Sequence, residues 1–272
     1  MIIWIASYPK SGNTWIRALI ATYLNFQKKE FNLNILSNIP RFTQEKFFST
    51  FINMKELKDN PLKICQFWQA AQSKINLDKK IKFLKTHNAC VSSNNNLFTD
   101  ETNSLGYIYV VRDPRSIVCS YAKHMNISNE SSVKRIINKD LIGFYDENNL
   151  AEVISSWKIN YLSWKKKKNF SGILIKYEDL IDQTENEFRK ILIYLKDKIQ
   201  VDLDENKIAK TIEFCKFSNL RALEEKNGFS EATNGRFFRK GQKYSWKTEL
   251  NSDLQKIIEK NFKEEMIELS YL

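Results

Sequence analysis

The alternation of short apolar runs with long helical patterns is the feature that most constrains the fold of this chain. Strands that alternate with helices favour a parallel sheet covered on both faces, and ligands of such sheets bind at the carboxyl ends of the strands. We therefore expect an α/β fold with a central parallel sheet flanked by helices. The predicted strands are Ile2–Ser7, Ile81–Thr86, Gly106–Val111 and Gly172–Lys176. The predicted helices are Thr14–Phe26, Pro114–Met125, Asn149–Lys167 and Glu185–Leu195.

The chain has the organisation of one domain. Its 272 residues contain no internal repeat, and with four prolines and seven glycines there is no Pro- or Gly-rich linker. Hydrophobic residues make up 42% of the chain, which is enough for a substantial core. We therefore expect a single domain over residues 1–272. Polar stretches between the predicted elements read as loops, at residues 32–60, 88–104, 126–148 and 226–242.

The net charge and the cysteine content narrow the classes of ligand and of structure that this chain can have. A formal net charge of +11 attracts anions, among them nucleic acid, anionic lipid and phosphorylated small molecules. The four cysteines form no CxxC pair, which argues against a zinc site or a disulfide scaffold and favours a reducing compartment. The first apolar run lacks a basic leader, and no stretch is long enough to span a membrane. We expect a cytoplasmic protein.

The turn after the first predicted strand has the outline of an anion site. Residues 8–14 read YPKSGNT and lead into a helix, whose first amide groups and positive dipole end favour a phosphate. Gly12 lets the backbone come close, Lys10 adds a point charge, and Ser11 and Thr14 add hydroxyl donors. An ordinary βα turn with a capping Ser or Asn would give the same pattern, so this segment alone leaves both interpretations open.

The order of residues in this turn differs from that of a nucleotide-triphosphate loop. That loop reads GxxxxGK[ST], whereas here Lys10 precedes Gly12, an order that suits one terminal phosphate held end-on. The stretch YPKSGNTW resembles the 5′-phosphosulfate loop of sulfotransferases that use 3′-phosphoadenosine-5′-phosphosulfate (PAPS). It is most similar to the cytosolic small-molecule branch, whose loop reads TYPKSGTTW, and differs from it at Ser7 and Asn13. The resemblance covers Ile2 to about Lys247 and implies the P-loop-like sulfotransferase fold.

A second anion site is indicated at the end of the third predicted strand. The stretch VVRDPRSIVCS places Arg112 at the strand end, and Ser116 and Ser120 four residues apart on one face of the next helix. An arginine with a serine above it can hold a separate anion, and pairing of Arg112 with a nearby carboxylate is the alternative. In the resembling family this is the 3′-phosphate motif, whose arginine and serine match Arg112 and Ser120.

Two further stretches match the family. FFRKGQK places Arg239, Lys240 and Gly241 where the family's RKG segment closes over the 3′-phosphate. The sequence after this glycine departs from the family's pattern, so the path of the loop beyond it stays open. Tyr177, just beyond a predicted strand, and Trp15 match the family's adenine contacts.

Histidine is scarce, which narrows the search for a general base to His87 and His124. The stretch KFLKTH is strand-like, so Lys85 and His87 lie two residues apart and point to the same side. A neighbouring lysine favours the neutral imidazole that a base needs, and a capping histidine at a strand end is the alternative. In the family, K-T-H at this point carries the catalytic base, and Lys85 and His87 match it. His124 reads as structural.

The resemblance implies transfer of a sulfuryl group from PAPS to a hydroxyl or amine of a small-molecule acceptor, with release of 3′,5′-bisphosphoadenosine (PAP). His87 would remove the acceptor's proton, Lys10 would neutralise charge on the leaving phosphate, and Lys85 would assist on the sulfuryl oxygens. These lysines supply the positive charge that a cation would otherwise bring, so we expect no metal. The implied nucleotide contacts are Lys10, Ser11, Gly12, Asn13, Thr14, Trp15, Arg112, Ser120, Tyr177, Arg239, Lys240 and Gly241.

The sequence leaves the acceptor and the oligomeric state open. One alternative is a sulfotransferase acting on a carbohydrate or protein chain, although those branches more often use a carboxylate base. Another is a protein that binds nucleotides or nucleic acid without sulfuryl transfer, although the basic residues lie in discrete loops with no recognised nucleic-acid motif. The aromatic candidates for an acceptor pocket, which suit the core equally well, are Phe47 and Phe51 on one helix face, Phe67 and Trp68 in another helical stretch, and Phe144 and Tyr145 in a loop.

Overall fold

The computed structural model describes residues 1–26, 32–143, 150–167, 169–232, 235–238 and 241–272. The strands are β1 (Ile2–Ser7), β2 (Lys82–Thr86), β3 (Ser92–Ser93), β4 (Asn96–Leu97), β5 (Ser104–Val111), β6 (Ile142–Gly143), β7 (Glu152–Val153) and β8 (Gly172–Lys176). The helices are α1 (Asn13–Leu24), α2 (Met54–Asp59), α3 (Trp68–Ile75), α4 (Pro114–Met125), α5 (Asn129–Ile137), α6 (Trp157–Lys165), α7 (Tyr177–Asp182), α8 (Thr184–Lys196), α9 (Glu205–Phe214), α10 (Phe217–Asn227), α11 (Trp246–Glu249) and α12 (Ser252–Glu268). Short 3₁₀ helices cover Leu33–Asn38, Glu45–Phe47, Pro61–Phe67 and Asn76–Asp78.

A parallel sheet of four strands, in the order β2-β1-β5-β8, confirms the predicted fold class. β1 pairs in parallel with both β2 and β5, and every residue of β1 is buried, as expected for a strand covered on both faces. Each predicted strand is present. The bounds of β1 and β8 are as predicted, β2 begins one residue later and β5 begins two residues earlier.

The described residues divide into two compact units, each built from three chain segments. The first unit comprises residues 1–8, 39–110 and 138–174. The second unit comprises residues 9–38, 111–137 and 175–272. No described helix is both long and apolar enough to cross a bilayer.

An aromatic cluster forms the core of the first unit. The indole of Trp4 on β1 contacts the rings of Phe42, Phe98 and Trp164, with centroids 5.2, 5.1 and 6.4 Å away. The Trp4 Nε1 group donates a hydrogen bond of 2.6 Å to Ser104 Oγ, so the one polar atom of the indole is satisfied. Burying each such aromatic side chain stabilises the fold by about 2–3 kcal/mol.

The second unit is built mainly from helices. Tyr23, near the end of α1, places its ring 5.7 Å from that of Phe188 on α8. The Tyr23 hydroxyl donates to the carbonyl oxygen of Asp202 at 2.5 Å and accepts from the amide of Asp204 at 3.0 Å. These contacts hold the C-terminal end of α1 to the residues that lead into α9.

One predicted helix begins too early. The prediction started it at Asn149, which lies outside the described residues, whereas α6 begins at Trp157. The Ser156 side chain caps α6 by accepting a hydrogen bond from the amide of Ile159. Upstream, Ser155 has a positive φ of 61°, and β7 pairs with β6 in a short antiparallel ribbon. The other three predicted helices are present, with α4 at the predicted bounds.

Two predicted loops contain helices. Residues 32–60 include α2 and two 3₁₀ helices, and residues 126–148 include α5. The apolar side chains of Val133 and Ile136 are buried on one face of α5, which explains why this segment folds as a helix.

The prediction that Phe47 and Phe51 share a helix face is wrong. The 3₁₀ helix ends at Phe47, and Phe51 follows in a turn, where its ring stacks on that of Phe67 with centroids 6.3 Å apart. Phe67 and Trp68 lie in consecutive helical segments, as predicted. Phe144 and Tyr145 lie outside the described residues.

Candidate active site

The loop after β1 has an unusual backbone. Gly12 is the N-cap of α1 with φ 104°, and Lys10 has φ 67°. A positive φ is sterically costly for a residue with a Cβ, and such strain is concentrated at functional sites. A Cβ at Gly12 would lie 2.5 Å from Cδ2 of Tyr177, so only glycine fits between the loop and this ring.

Polar groups of the loop and of the first turn of α1 are poised for an anion. Ser11 is fully buried, and its Oγ has no hydrogen-bond partner within the part of the chain that the structure describes. Thr14 Oγ1 donates to Glu231 Oε2 at 3.5 Å, and Arg17 Nη1 donates to Glu231 Oε1 at 2.6 Å. The start of α1 therefore already engages one carboxylate, as its dipole favours.

The ammonium group of Lys10 lies over an aromatic ring. Its Nζ is 4.1 Å from the centroid of Phe237. The amides of Phe237 and Phe238 donate to the two oxygens of Glu224 on α10, at 2.5 and 2.8 Å. Glu224 thus anchors the segment that carries the ring against Lys10.

Arg112 connects three parts of the second unit. The residue is 8% exposed; its Nη1 donates to the carbonyl oxygen of Lys10 and its Nη2 to that of Gln242, both at 3.0 Å. Its Cζ lies 4.2 Å from the ring centroid of Tyr177. Both hydrogen bonds go to carbonyls and not to the carboxylate that the alternative interpretation required. Arg112 Nε has no hydrogen-bond partner among the described residues.

Trp15 and Tyr177 complete this cluster. Trp15 Nε1 donates to the carbonyl oxygen of Cys215 at 2.9 Å, and the two rings meet edge to face with centroids 6.2 Å apart. Tyr177 is buried, which raises the pKa of its hydroxyl. The structure therefore brings together the loop, Arg112 and both predicted adenine contacts.

The two serines on α4 differ in exposure. Ser116 is fully buried, and its Oγ lacks a hydrogen-bond partner in the described segments, whereas Ser120, one turn later, is partly exposed. Asp113 caps α4 by accepting from the amide of Arg115, and Pro114 is the first helical residue, as the sequence suggests.

Only part of the predicted RKG segment is described. Arg239 and Lys240 lie outside the described residues. Gly241 has φ 58°, and a Cβ there would lie 2.5 Å from the ring of Phe217. The next residue, Gln242, supplies the carbonyl that accepts from Arg112, so the chain after Gly241 passes beside the arginine.

His87 belongs to the first unit, where its amide, its carbonyl and its ring Nδ1 are all engaged. Its amide donates to Glu152 Oε1 and its carbonyl accepts from Asn160 Nδ2, both at 2.9 Å. Its Nδ1 lies 2.8 Å from the carbonyl oxygen and 3.2 Å from Oγ of Ser7. A carbonyl can only accept, so in the neutral ring Nδ1 carries the proton and Nε2 carries the lone pair.

Glu152 is the fully buried carboxylate behind His87. Its Oε2 accepts from Arg41 Nη1 at 3.1 Å, and Oε1 also lies 3.4 Å from Thr86 Oγ1. Lys85, only 3% exposed, bonds through its backbone to residues 40–42, which cover the free edge of β2. The end of β2 is therefore fixed by both a buried ion pair and backbone pairing.

Sequence reasoning missed several residues that hold the predicted ones in place. Glu178, whose Oε1 accepts a hydrogen bond of 3.1 Å from the amide of Asp113, directly follows Tyr177, and that position in the sequence could have indicated it. Ser7, whose carbonyl holds His87, stands at a position where the sequence departs from the family's pattern. For Glu152 and Glu231 no local pattern indicates the role, since each acts on residues far away in the chain. Among the described residues, no cluster of three or more His, Cys, Asp or Glu side chains could hold a metal ion.

Comparisons with known proteins place the chain in a family. A family model described as "Sulfotransferase domain" matches residues 2–270. Cytosolic sulfotransferase 12 of Arabidopsis thaliana is 21% identical over 96% of this chain and 76% of its own length. Luciferin sulfotransferase of Photinus pyralis is 24% identical over 92% of this chain and 67% of its own length.

Solved structures share the fold. Retinol dehydratase in complex with androsterone and the inactive cofactor PAP superposes with a TM-score of 0.64 at 17% identity, covering 97% of this chain and 80% of that one. A mouse sulfotransferase complexed with PAP gives a TM-score of 0.59 at 21% identity, covering 97% and 84%. Because the family model spans nearly the whole sequence, the chain belongs to the sulfotransferase family and is an enzyme of that class.

Proposed function

We propose that this enzyme transfers a sulfuryl group from PAPS to a hydroxyl or amine of a small-molecule acceptor. The observation that carries the proposal is the position of Arg112, whose guanidinium joins the Lys10 loop to the segment after Gly241 and lies against Tyr177. A nucleotide with phosphates at both ends of its ribose needs such a pair of linked anion sites. We further propose that residues 1–272 act as one sulfotransferase domain in the cytoplasm and need no metal.

The described residues suit this nucleotide. A loop that wraps a phosphate closely needs free donors and room for the backbone. Among the described residues the buried hydroxyl of Ser11 has no partner, and at Gly12 only a glycine fits. The residues proposed for the 5′-phosphosulfate are Lys10, Ser11, Gly12, Asn13 and Thr14. The residues proposed for the 3′-phosphate are Arg112, Ser120, Arg239, Lys240 and Gly241, and those for the adenine are Trp15 and Tyr177.

In the proposed reaction, His87 is the general base. Its Nδ1–H is held by the Ser7 carbonyl, so Nε2 presents the lone pair that removes the proton from the attacking hydroxyl or amine. Lys10 neutralises the charge that grows on the phosphate as its bond to sulfur breaks, and Lys85 stabilises the sulfuryl oxygens. PAPS supplies the activated sulfuryl group, and PAP leaves.

An apolar or aromatic small molecule is the proposed acceptor. The relatives named above are a luciferin sulfotransferase and a retinol dehydratase solved with androsterone, which suggests this class. A carbohydrate or protein acceptor is the second candidate. A nucleic acid is a third possible ligand, and its binding would fall steeply with salt because several phosphates release counterions.

A screen with ³⁵S-labelled PAPS tests the proposal. The panel contains a phenol, an aliphatic alcohol, an aryl amine, a polysaccharide and a tyrosine-containing peptide, with boiled enzyme as the control. We expect label in the phenol, alcohol or amine and PAP as the second product. Label only in the polymers would assign the second candidate. Tight PAP binding without transfer to any class would contradict the proposed reaction.

A further inference from the structure

A chain of hydrogen bonds runs behind the nucleotide residues of the second unit. The Tyr271 hydroxyl donates to Glu178 Oε2 at 2.9 Å, and Glu178 Oε1 accepts from the amide of Asp113 at 3.1 Å. Asp113 directly follows Arg112, and Glu178 directly follows Tyr177. The Glu178 carboxylate thus connects Tyr271 with the backbone of Asp113, beside Arg112.

Local structure directs Tyr271 toward this carboxylate. Helix α12 ends in a Schellman motif, in which Ser270 has φ 57° and its amide donates to the carbonyl of Ile267 at 2.9 Å. The amide of Tyr271 donates to the carbonyl of Met266 at 2.7 Å, which turns the chain back. Lys176 Nζ donates to the carbonyl of Leu269 at 2.6 Å and lies 4.9 Å from the Tyr271 ring centroid.

Arg115 ties the same residue to the start of α4. Its Nη2 donates to the carbonyl of Tyr271 at 2.7 Å and to Asp113 Oδ2 at 2.8 Å, and its Nη1 donates to Glu259 at 2.7 Å. Its guanidinium lies 3.8 Å from the ring centroid of Trp246. Tyr271 is therefore held at its amide, carbonyl and hydroxyl, and the hydroxyl is the one group that reaches Glu178.

This network borders Arg112, the residue proposed for the 3′-phosphate, and Tyr177, the residue proposed for the adenine. Arg112 and Tyr177 touch each other, and among the described residues neither side chain is hydrogen-bonded to a carboxylate. Their relative position depends on the backbone of Asp113 and Glu178. Burial raises the pKa of the Glu178 carboxyl, and the hydrogen bonds from the Asp113 amide and the Tyr271 hydroxyl act against that shift.

We propose that Tyr271 is a positioning residue for nucleotide recognition: through Glu178 its hydroxyl holds Arg112 against Tyr177 and so sets the selectivity for a 3′-phosphate. This inference rests on the proposed function. Tyr271 is not among the residues proposed to contact the nucleotide. It acts through Arg112, the residue proposed for the 3′-phosphate, so its effect is expected for ligands that carry that phosphate.

The test compares the affinities for PAP and AMP, measured by calorimetry, in the native protein and in Tyr271→Phe. AMP lacks only the 3′-phosphate, so the ratio of the two affinities isolates the Arg112 site. We expect the ratio to fall about three- to tenfold in Tyr271→Phe, the effect of one lost hydrogen bond, with AMP affinity unchanged. In turnover assays the KM for PAPS should rise while kcat stays near the native value.

Tyr23→Phe is the matched control, because it removes a hydroxyl with two hydrogen bonds at the far end of α1. Its ratio should equal the native one even if its melting temperature falls. Should Tyr271→Phe be too unstable to titrate, Glu178→Ala, which removes the same connection, must lower the ratio at least as much. A native-like ratio in the titrated variant, or an equal loss of both affinities, overturns the inference. Equal native affinities for PAP and AMP would instead contradict the proposed function.

Discussion

The two units hold their candidate functional groups in different ways. In the first unit, the amide, carbonyl and ring nitrogen of His87 are each hydrogen-bonded to a buried partner. In the second unit, the cations of Lys10 and Arg112 lie on aromatic rings, and Arg112 donates to backbone carbonyls. His87 is thus fixed by hydrogen bonds to buried groups of the protein. The cations make contacts that a phosphate can replace, because a phosphate adds the attraction of opposite charges, in bidentate geometry with the guanidinium, to the hydrogen bonds.

The largest expected effect separates chemistry from binding. Replacing His87 with Ala should lower turnover about 10²- to 10⁴-fold, the usual contribution of a general base, and leave PAP affinity unchanged. His124→Ala is the matched control and should keep native turnover. Steady-state assays with the acceptor found by the screen measure both variants. Native turnover in His87→Ala would remove it as the base.

Arg112→Ala should produce the opposite pattern. Loss of charge-assisted hydrogen bonds to a phosphate is expected to weaken PAP binding about ten- to a hundredfold while AMP binding changes little. Arg112→Lys keeps the charge without the planar guanidinium, so its PAP affinity should lie between those of the native protein and Arg112→Ala. If Arg112→Ala weakens AMP and PAP equally, the arginine does not read the 3′-phosphate.

A smaller effect is expected from Glu152, the buried carboxylate behind His87. Glu152→Gln keeps an acceptor for the His87 amide but removes the charge that pairs with Arg41. We expect the free energy of unfolding to fall by about 1–2 kcal/mol and turnover to fall severalfold, with native PAP affinity. Denaturant melts and kinetics on one preparation measure both. A loss of PAP affinity without loss of turnover would contradict the proposal that this part of the first unit serves the reaction and not nucleotide binding.

The second unit should also show its own pH dependence of stability. Burial raises the pKa of Glu178, so its charged form is disfavoured in the folded state. The protonated Glu178 side chain contributes to the stability of the folded protein below the pKa of the unfolded state. This contribution is lost as the pH rises through the pKa of the folded state. Native protein should therefore lose stability relative to Glu178→Gln as the pH increases above about 4.5. Parallel melting curves for the two proteins would contradict this.

The smallest expected effect is the absence of thiol reactivity in both units. Burial raises the pKa of Cys90, in the first unit, and of Cys215, in the second, to about 12. At pH 8 only about one thiol in 10⁴ would be ionised, so thiol reagents should label the folded protein slowly at either position. Mass spectrometry after timed labelling measures each site. Rapid labelling of one cysteine would show that its unit opens readily.

The sequence predicted the sheet better than it predicted the side chains that support the proposed site residues. β1 and β8 are continuous apolar runs, and Pro114 with Asp113 marks the start of α4, so these elements carry local signals. The YPKSG turn and Arg112 likewise stand at strand ends, where ligands of parallel sheets bind.

What the sequence could not predict depends on contacts between distant residues. The helix proposed to begin at Asn149 begins at Trp157, because β7 pairs with β6 and Val153 also bonds to Asn88 and Ala89, none of which is a neighbour in the chain. Tyr271 reaches Glu178 across 93 positions, and Glu231 reaches Thr14 across 217. No propensity or spacing rule encodes such pairings.

The most direct test is a crystal structure of the protein with PAP. We predict one phosphate on the amides of the Lys10–Thr14 turn, and the 3′-phosphate within about 3 Å of the Arg112 guanidinium in place of a carbonyl partner. His87 Nδ1 should remain on the Ser7 carbonyl. A nucleotide bound elsewhere, or a 3′-phosphate that leaves Arg112 on both carbonyls, would contradict the proposed site.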